Sequence, residues 1–211
     1  MKRLVYSIAK FIMWIVSLLY PYGLNRNVKK IRNLLYTSWI RNFIGQMGPN
    51  TLISYPCYLQ GSGSKFIKIG NNTHIQKHCI LACWTHHGGI SYTPSIFIGD
   101  NCNIGDYTQL TACNRIVVGD GVLMGRYVLI TDNAHGGHSK EEALIRPSQR
   151  KLTSKGEVVI GNNTWIGERV VILPDVHIGD NVIIGANTVV THDIPKDSVV
   201  VGTGARVVKT L

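Results

Sequence analysis

The sequence has no aspartate or glutamate before Asp100, whereas eleven lysines and arginines, from Lys2 to Lys77, precede it. The net charge of +10 therefore belongs to the N-terminal half. A one-signed segment of this kind suits a polyanionic ligand or an anionic membrane surface. Nucleic acid is not expected as a partner, because no helix-turn-helix, zinc-finger or aromatic RNA-binding signature accompanies the charge. The sequence also lacks any CxxC pair: Cys57, Cys79, Cys83, Cys102 and Cys113 are odd in number. That argues against a secreted disulfide framework and for reduced core thiols in a cytoplasmic protein. No two histidines are spaced H-x4-H, which removes the closely spaced imidazole pair of a shared zinc site, so no metal is expected. There is no G-x-S-x-G elbow and hence no sign of a serine nucleophile. At 211 residues the chain has room for one sizeable domain and a small appendage.

What the N-terminus does have is an apolar run over residues 4–20, LVYSIAKFIMWIVSLLY, behind Lys2 and Arg3 and ended by Pro21 and Gly23. It lacks a small-residue cleavage site. It falls short of the roughly 20 residues needed to cross a bilayer, and Lys10 would sit near its centre. On a helical wheel Ser7, Lys10, Trp14 and Ser17 share a narrow face, as in a helix lying in a membrane interface. A spanning helix and a helix packed on the protein are the alternatives. Residues 25–45 continue in helical register, with Val28, Ile31, Leu35, Trp39 and Phe43 on one face. Such a helix can cover the end of the main domain, meet acidic headgroups, or do both. Residues 1–45 are thus expected to form hydrophobic and basic helices. The expected location is the cytoplasm, with peripheral association at the inner face of the cytoplasmic membrane.

From about residue 66 the chain divides into hexads headed by an aliphatic residue, usually followed by glycine: IGNNTH from Ile69, IGDNCN from Ile98, IGDYTQ from Ile104, VGDGVL from Val118 and MGRYVL from Met124. The series stops after ITDNAH, which begins at Ile130, and returns at Ile160 with IGNNTW, IGERVV, ILPDVH, IGDNVI and IGANTV. A fixed period defines the fold before any element is assigned. Six residues suffice for a short strand and a bend. Three hexads close a triangular coil, and coils stacked about 4.8 Å apart bury a continuous aliphatic column. The leading Ile or Val and the small residue four places later point inward, and glycine at the second place eases the corner. The fold class is mainly β: a parallel β-helix of hexapeptide repeats over residues 46–211, with an N-terminal helical segment.

These hexads, with "ITDNAHG", "KGEVVIGNNTWIGERVVILPDVHIGDNVIIGANTVVTHDIP" and "VGTGARVVK", make the chain similar to the bacterial hexapeptide-repeat acyltransferases. The likeness spans about residues 65–209 and lies nearest the sugar O-acetyltransferase branch, which includes the galactoside, maltose, capsule and colanic-acid enzymes. The resemblance implies a left-handed β-helix, a homotrimer with active sites between subunits, acetyl-CoA as acyl donor and a carbohydrate acceptor in polysaccharide biosynthesis. Acetylation of an amine on an amino sugar, serine or antibiotic, and a non-catalytic β-helix scaffold, are the competing readings.

The repeat breaks at His135, a sixth-place residue expected to face outward. Residues 136–155 beyond it read as an extruded loop, with Gly136 and Gly137 freeing the backbone. The resemblance makes His135 the general base, a role that suits a mostly neutral imidazole. Asp132 either orients it, binds acceptor or serves as a corner carboxylate. Asn114, in an earlier coil, is a candidate acceptor contact. A second interruption at residues 82–95 carries Trp84, His86 and His87, which could stack on a sugar or touch a neighbouring subunit. The resemblance further assigns Trp165 to the donor channel near the thioester, Gly185, Ala186 and Thr191 to the pantetheine track, and Arg206 and Lys209 to the donor phosphates. Gly204 stands where the branch usually has proline, which would remove packing against the adenine.

Overall fold

The computed structural model describes residues 2–137 and 139–211. Among them, three parallel sheets form the sides of a triangular prism. Face one stacks Gln46–Met47, Ile67–Ile69, Ser95–Ile98, Arg115–Val118, Val158–Ile160 and Val176–Ile178. Face two begins at Leu52–Ile53 and passes through Trp165–Ile166 and Ile183–Ile184 to Ser198–Val201. Face three runs from Tyr58–Gln60 through Gln109–Ala112 and Leu129–Thr131 to Val189–Val190. The chain is a left-handed β-helix.

The inward columns are in strict register. On face three Leu81, Leu110, Ile130, Ile172 and Val190 lie one above another, and all are buried. The prism begins one coil earlier than the repeat at residue 66 suggested, because Met47, Ile53 and Leu59 keep the same six-residue spacing and pair with the coil above.

Glycine at the second place serves a purpose other than the one expected from the sequence. The left-handed backbone occurs two places later, at Asn72, Asn101, Tyr107, Tyr127, Asn163 and Asn181, where asparagine tolerates it best. The second place needs glycine because coils approach closely there: a Cβ on Gly161 would lie 2.5 Å from the Gly179 carbonyl carbon and 2.6 Å from the Asp180 nitrogen. At the third place a side-chain oxygen accepts from the backbone N–H of the coil before: Asp100 from Asn71, Asp120 from Asp100, Asn162 from Asp120 and Asp180 from Asn162, at 2.6–2.8 Å. The fifth place adds a second hydrogen bond in the same direction, with Thr73 donating to the Gly99 carbonyl at 2.7 Å and the Cys79 thiol to Gly105 at 3.2 Å. The I-G-D/N-N-T motif is thus a hydrogen-bonding device as well as a hydrophobic one.

Two helices precede the prism. α1 (Lys2–Leu19) and α2 (Tyr22–Ile40) meet at a 60° bend, where Pro21 cannot continue the first helix. α2 closes the first coil. Thr37 exchanges hydrogen bonds with the backbone of Ile53, Tyr36 does the same with Cys57, and Ile40 is buried. The docking face is therefore Asn33, Tyr36, Thr37 and Ile40. The apolar stripe expected to pack, from Val28 to Trp39, remains exposed. At the other end Arg206–Thr210 folds back antiparallel on Ser198–Val201 and ends face two.

Candidate active site

Both interruptions leave the prism at the edge between faces three and one. Residues 82–95 form a β-hairpin in which His86–His87 pairs antiparallel with Ile90–Ser91. Its turn is Gly88-Gly89, with φ of 58° and 77°. Two consecutive positive φ values define the tight hairpin turn that glycine pairs favour. The second interruption is an arm whose base is also a short antiparallel pair, Ala134–His135 against Leu152–Thr153. His135, the sixth residue of its hexad, is therefore also the second rung of this pair, directly opposite Leu152. The Gly136 amide donates to the Lys151 carbonyl at 2.8 Å, and the Leu152 amide donates to the Tyr92 hydroxyl at 2.9 Å. The second bond fastens the arm to the hairpin segment. The expected arm includes His138, which lies outside the described residues.

Between hairpin, arm and face three lies a cleft of about 370 Å³. His135 and His87 meet edge to face, with ring centroids 5.1 Å apart and planes at 69°. Trp84 stands beyond His87 at 6.3 Å, and its indole N–H donates to the Thr111 hydroxyl at 3.2 Å. The Nε2 atom of His87 is buried and has no hydrogen-bond partner among the described residues. Thr111, Thr131 and Asn133 complete the polar wall. The thiols of Cys83 and Cys113 are pushed up to about 12 by burial and, secondarily, by the charge of Asp132. Neither supplies a thiolate at neutral pH. The chemistry this cleft offers is proton transfer by imidazole beside hydroxyl and amide groups.

The structure brings His135, His87 and Trp84 together and separates the other expected acceptor contacts. His86 is exposed, and its Nδ1 lies 3.0 Å from the Thr85 hydroxyl, outside the cleft wall. Asn114 is likewise outside it, with its carbonyl accepting from the Ser95 amide and its side chain 3.5 Å from the Ser154 hydroxyl. Asp132 is wholly buried; its carboxylate accepts from the amides of Cys113 and Asn114, both at 2.9 Å, and from the Asn133 side chain at 2.8 Å. Among the described residues it makes no hydrogen bond to His135. It is the corner carboxylate, and the coil geometry that places it there repeats the Asp100 device. Thr111, Thr131 and Asn133 were missed from the sequence. Thr111 and Thr131 are outward neighbours of the inward residues Leu110 and Ile130, a signal readable from strand alternation.

The donor-side candidates lie elsewhere on the same chain. Trp165 is on face two, half exposed, in register between Leu123 and Ile183. Gly185 and Ala186 turn the corner from face two to face three. Lys209 and Arg206 are opposite Val199 and Val201 on the strand that ends face two. Thr191 is on the His135 edge, two coils further along. The backbone at Gly204 is in the left-handed region, φ 90°, with open space around it.

Residues 157–192 match the family described as bacterial transferase hexapeptide (six repeats). WbbJ of Escherichia coli (strain K12), assigned by name to lipopolysaccharide biosynthesis as an O-acetyl transferase, is 32% identical over 200 residues, which is 92% of this chain and 93% of that protein. The galactoside O-acetyltransferase of the same organism is 35% identical over 126 residues, 57% of each chain. Among solved structures, galactoside acetyltransferase in complex with coenzyme A has a TM-score of 0.54 at 28% identity, covering 82% of this chain and 68% of the other. AntD, an N-acyltransferase from Bacillus cereus, shares the fold with a TM-score of 0.67 at 22% identity, covering 82% and 86%. A stacked-coil chain with this repeat, matched along nearly its whole length by such a relative, belongs to the bacterial hexapeptide-repeat transferases.

Proposed function

We propose that the protein is an acetyl-CoA-dependent O-acetyltransferase acting on a sugar hydroxyl of an envelope or extracellular polysaccharide or its lipid-linked precursor. The observation that carries this reading is the His135 imidazole in an open cleft walled by Trp84, Thr111, Thr131 and Asn133, with the nearby thiols protonated. His135 takes the proton of the acceptor hydroxyl as its oxygen bonds to the acyl carbon. The carbon–sulfur bond breaks, and His135 returns the proton to the departing sulfur. Trp84 stacks on the sugar ring, with the His87 ring set edge to face against His135 beside it.

Acetyl-CoA supplies the activated acyl group. The residues present fit it: the half-buried Gly185 and exposed Ala186 at a coil corner, the half-exposed indole of Trp165 and the cations Arg206 and Lys209 at the end of the same face. These groups lie around face two, whereas His135 lies on the edge between faces three and one. A homotrimer that sets one chain's His135 edge beside the next chain's Trp165 face completes the site.

The experiment is thiol release from acetyl-CoA by the purified full chain, with sugar and amino-sugar acceptors and mass analysis of the product. Acetyl esters, a loss of about a thousandfold or more in His135→Ala and retained CoA binding are expected. An amide product, or turnover that survives this substitution, overturns the reading.

A further inference from the structure

From the two helices we infer that α1 and the outer face of α2 form an in-plane docking surface for a bilayer bearing anionic headgroups. α1 has no buried residue along its 18 positions, and its side chains are apolar apart from Lys2, Arg3, Ser7, Lys10 and Ser17. α2 turns its polar face, Asn33, Tyr36 and Thr37, onto the first coil and leaves its apolar stripe in the open. Val28 is 46% exposed, Ile31 58%, Leu35 69% and Trp39 57%. That arrangement inverts the usual order for a helix packed on a domain. It is the order of a helix whose apolar side meets lipid.

Charge decides the occupant. Arg26, Lys29, Lys30 and Arg32 lie in the same helix, and no carboxylate occurs among residues 1–99. Residues 100–211 carry eleven basic and twelve acidic side chains, so the attraction is confined to one end of the prism. Aromatic rings toward the bend, Trp14, Tyr20 and Tyr22, and at the far end of α2, Trp39 and Phe43, are exposed and suit the headgroup level. Neither helix alone is long and apolar enough to cross a membrane, and the pair is bent by 60°. An in-plane position satisfies the bend without burying Lys10 in hydrocarbon. The surface is independent of the reaction at His135, so a failure of one leaves the other standing.

The experiment is cosedimentation of the full chain with vesicles of phosphatidylcholine alone and with about one-third phosphatidylglycerol, followed by a carbonate wash. Binding to the anionic vesicles, release by carbonate and a fall of about thirtyfold in Lys29→Gln/Lys30→Gln support the inference, at roughly fivefold per basic residue. Leu35→Asp, at an exposed position, should weaken binding while leaving the melting temperature unchanged. A chain that stays in the supernatant, its stripe covered by another copy, overturns it. So does equal binding to neutral vesicles, and so does retention after carbonate, which marks a bent span.

Discussion

The stacked coils and the two segments that leave them follow opposite rules. In the coils the inward columns are buried apart from the half-buried Leu59, the corner between faces one and two is closed by third-place oxygens, and coils approach closely enough there that a methyl group is too much. The hairpin strands His86–His87 and Ile90–Ser91 and the helical turn Lys140–Ala143 contain no buried residue, yet the two departing segments hold all three rings that face the cleft. Repetition gives a rigid frame with few reactive groups on show. Departure from it gives exposed groups that must be fixed by a handful of hydrogen bonds. Stability and chemistry are therefore largely separable in this molecule.

Glycines give the sharpest contrast. Gly161→Val forces two backbones apart and should abolish the cooperative fold, a cost of about 4 kcal/mol or more. Gly89→Val, at a hairpin tip with open space around it, should cost only about 1–2 kcal/mol of backbone strain; comparable denaturation midpoints would break the comparison. Next in size, Leu110→Ala in the face-three column should lose about 2–5 kcal/mol by chemical denaturation. Asp132→Ala orphans the amides of Cys113 and Asn114 and should cost about 2–4 kcal/mol. A stable Asp132→Ala protein with a crippled rate would instead return Asp132 to the catalytic group. Tyr92→Phe removes the acceptor of the Leu152 amide at an edge open to water, so about 1 kcal/mol or less is expected, with a raised KM for acceptor rather than a lower melting temperature.

The smallest effect is one of pH. Burial holds the His74 imidazole below its ordinary value of 6.5, with Asp106 partly opposing. The folded state favours neutral His74, so its contribution is fully present above pH 6.5 and is lost as pH falls from there through the lowered folded value. The melting temperature should decline on acidification across that window, and His74→Gln should flatten the decline.

Much of the frame was legible in the sequence because one hexad states its inward residue, its close approach and its corner oxygen together. The domain boundary at residue 46 took in the first coil, but its hexads went unread because Met47, Ile53 and Leu59 keep the spacing without the full I-G-D/N-N pattern. The outward break at His135 marked the cleft, and the arm beyond it marked one wall. Asp132 could not be resolved, since a carboxylate before a loop reads equally as a cap or as a catalytic partner until its hydrogen bonds are seen. Asn114 failed for a related reason: the surplus residues at this edge moved it round the corner. The Gly88-Gly89 turn did carry a hairpin signal. The inverted orientation of α2 did not, because side-chain bonds from Tyr36 and Thr37 to the first coil outweigh the hydrophobic periodicity.

The column of close-approach glycines also sets how this architecture can change in length. From Ile160 to Ile178 the step is one complete turn, three hexads, and adjacent turns are spaced by the inter-strand distance of about 4.8 Å. A single inserted residue inside a turn would throw every glycine above it out of alignment with its neighbour. Growth or shortening therefore proceeds in whole increments of three hexads, and odd-sized additions are admitted only at the one edge where hairpin and arm already depart.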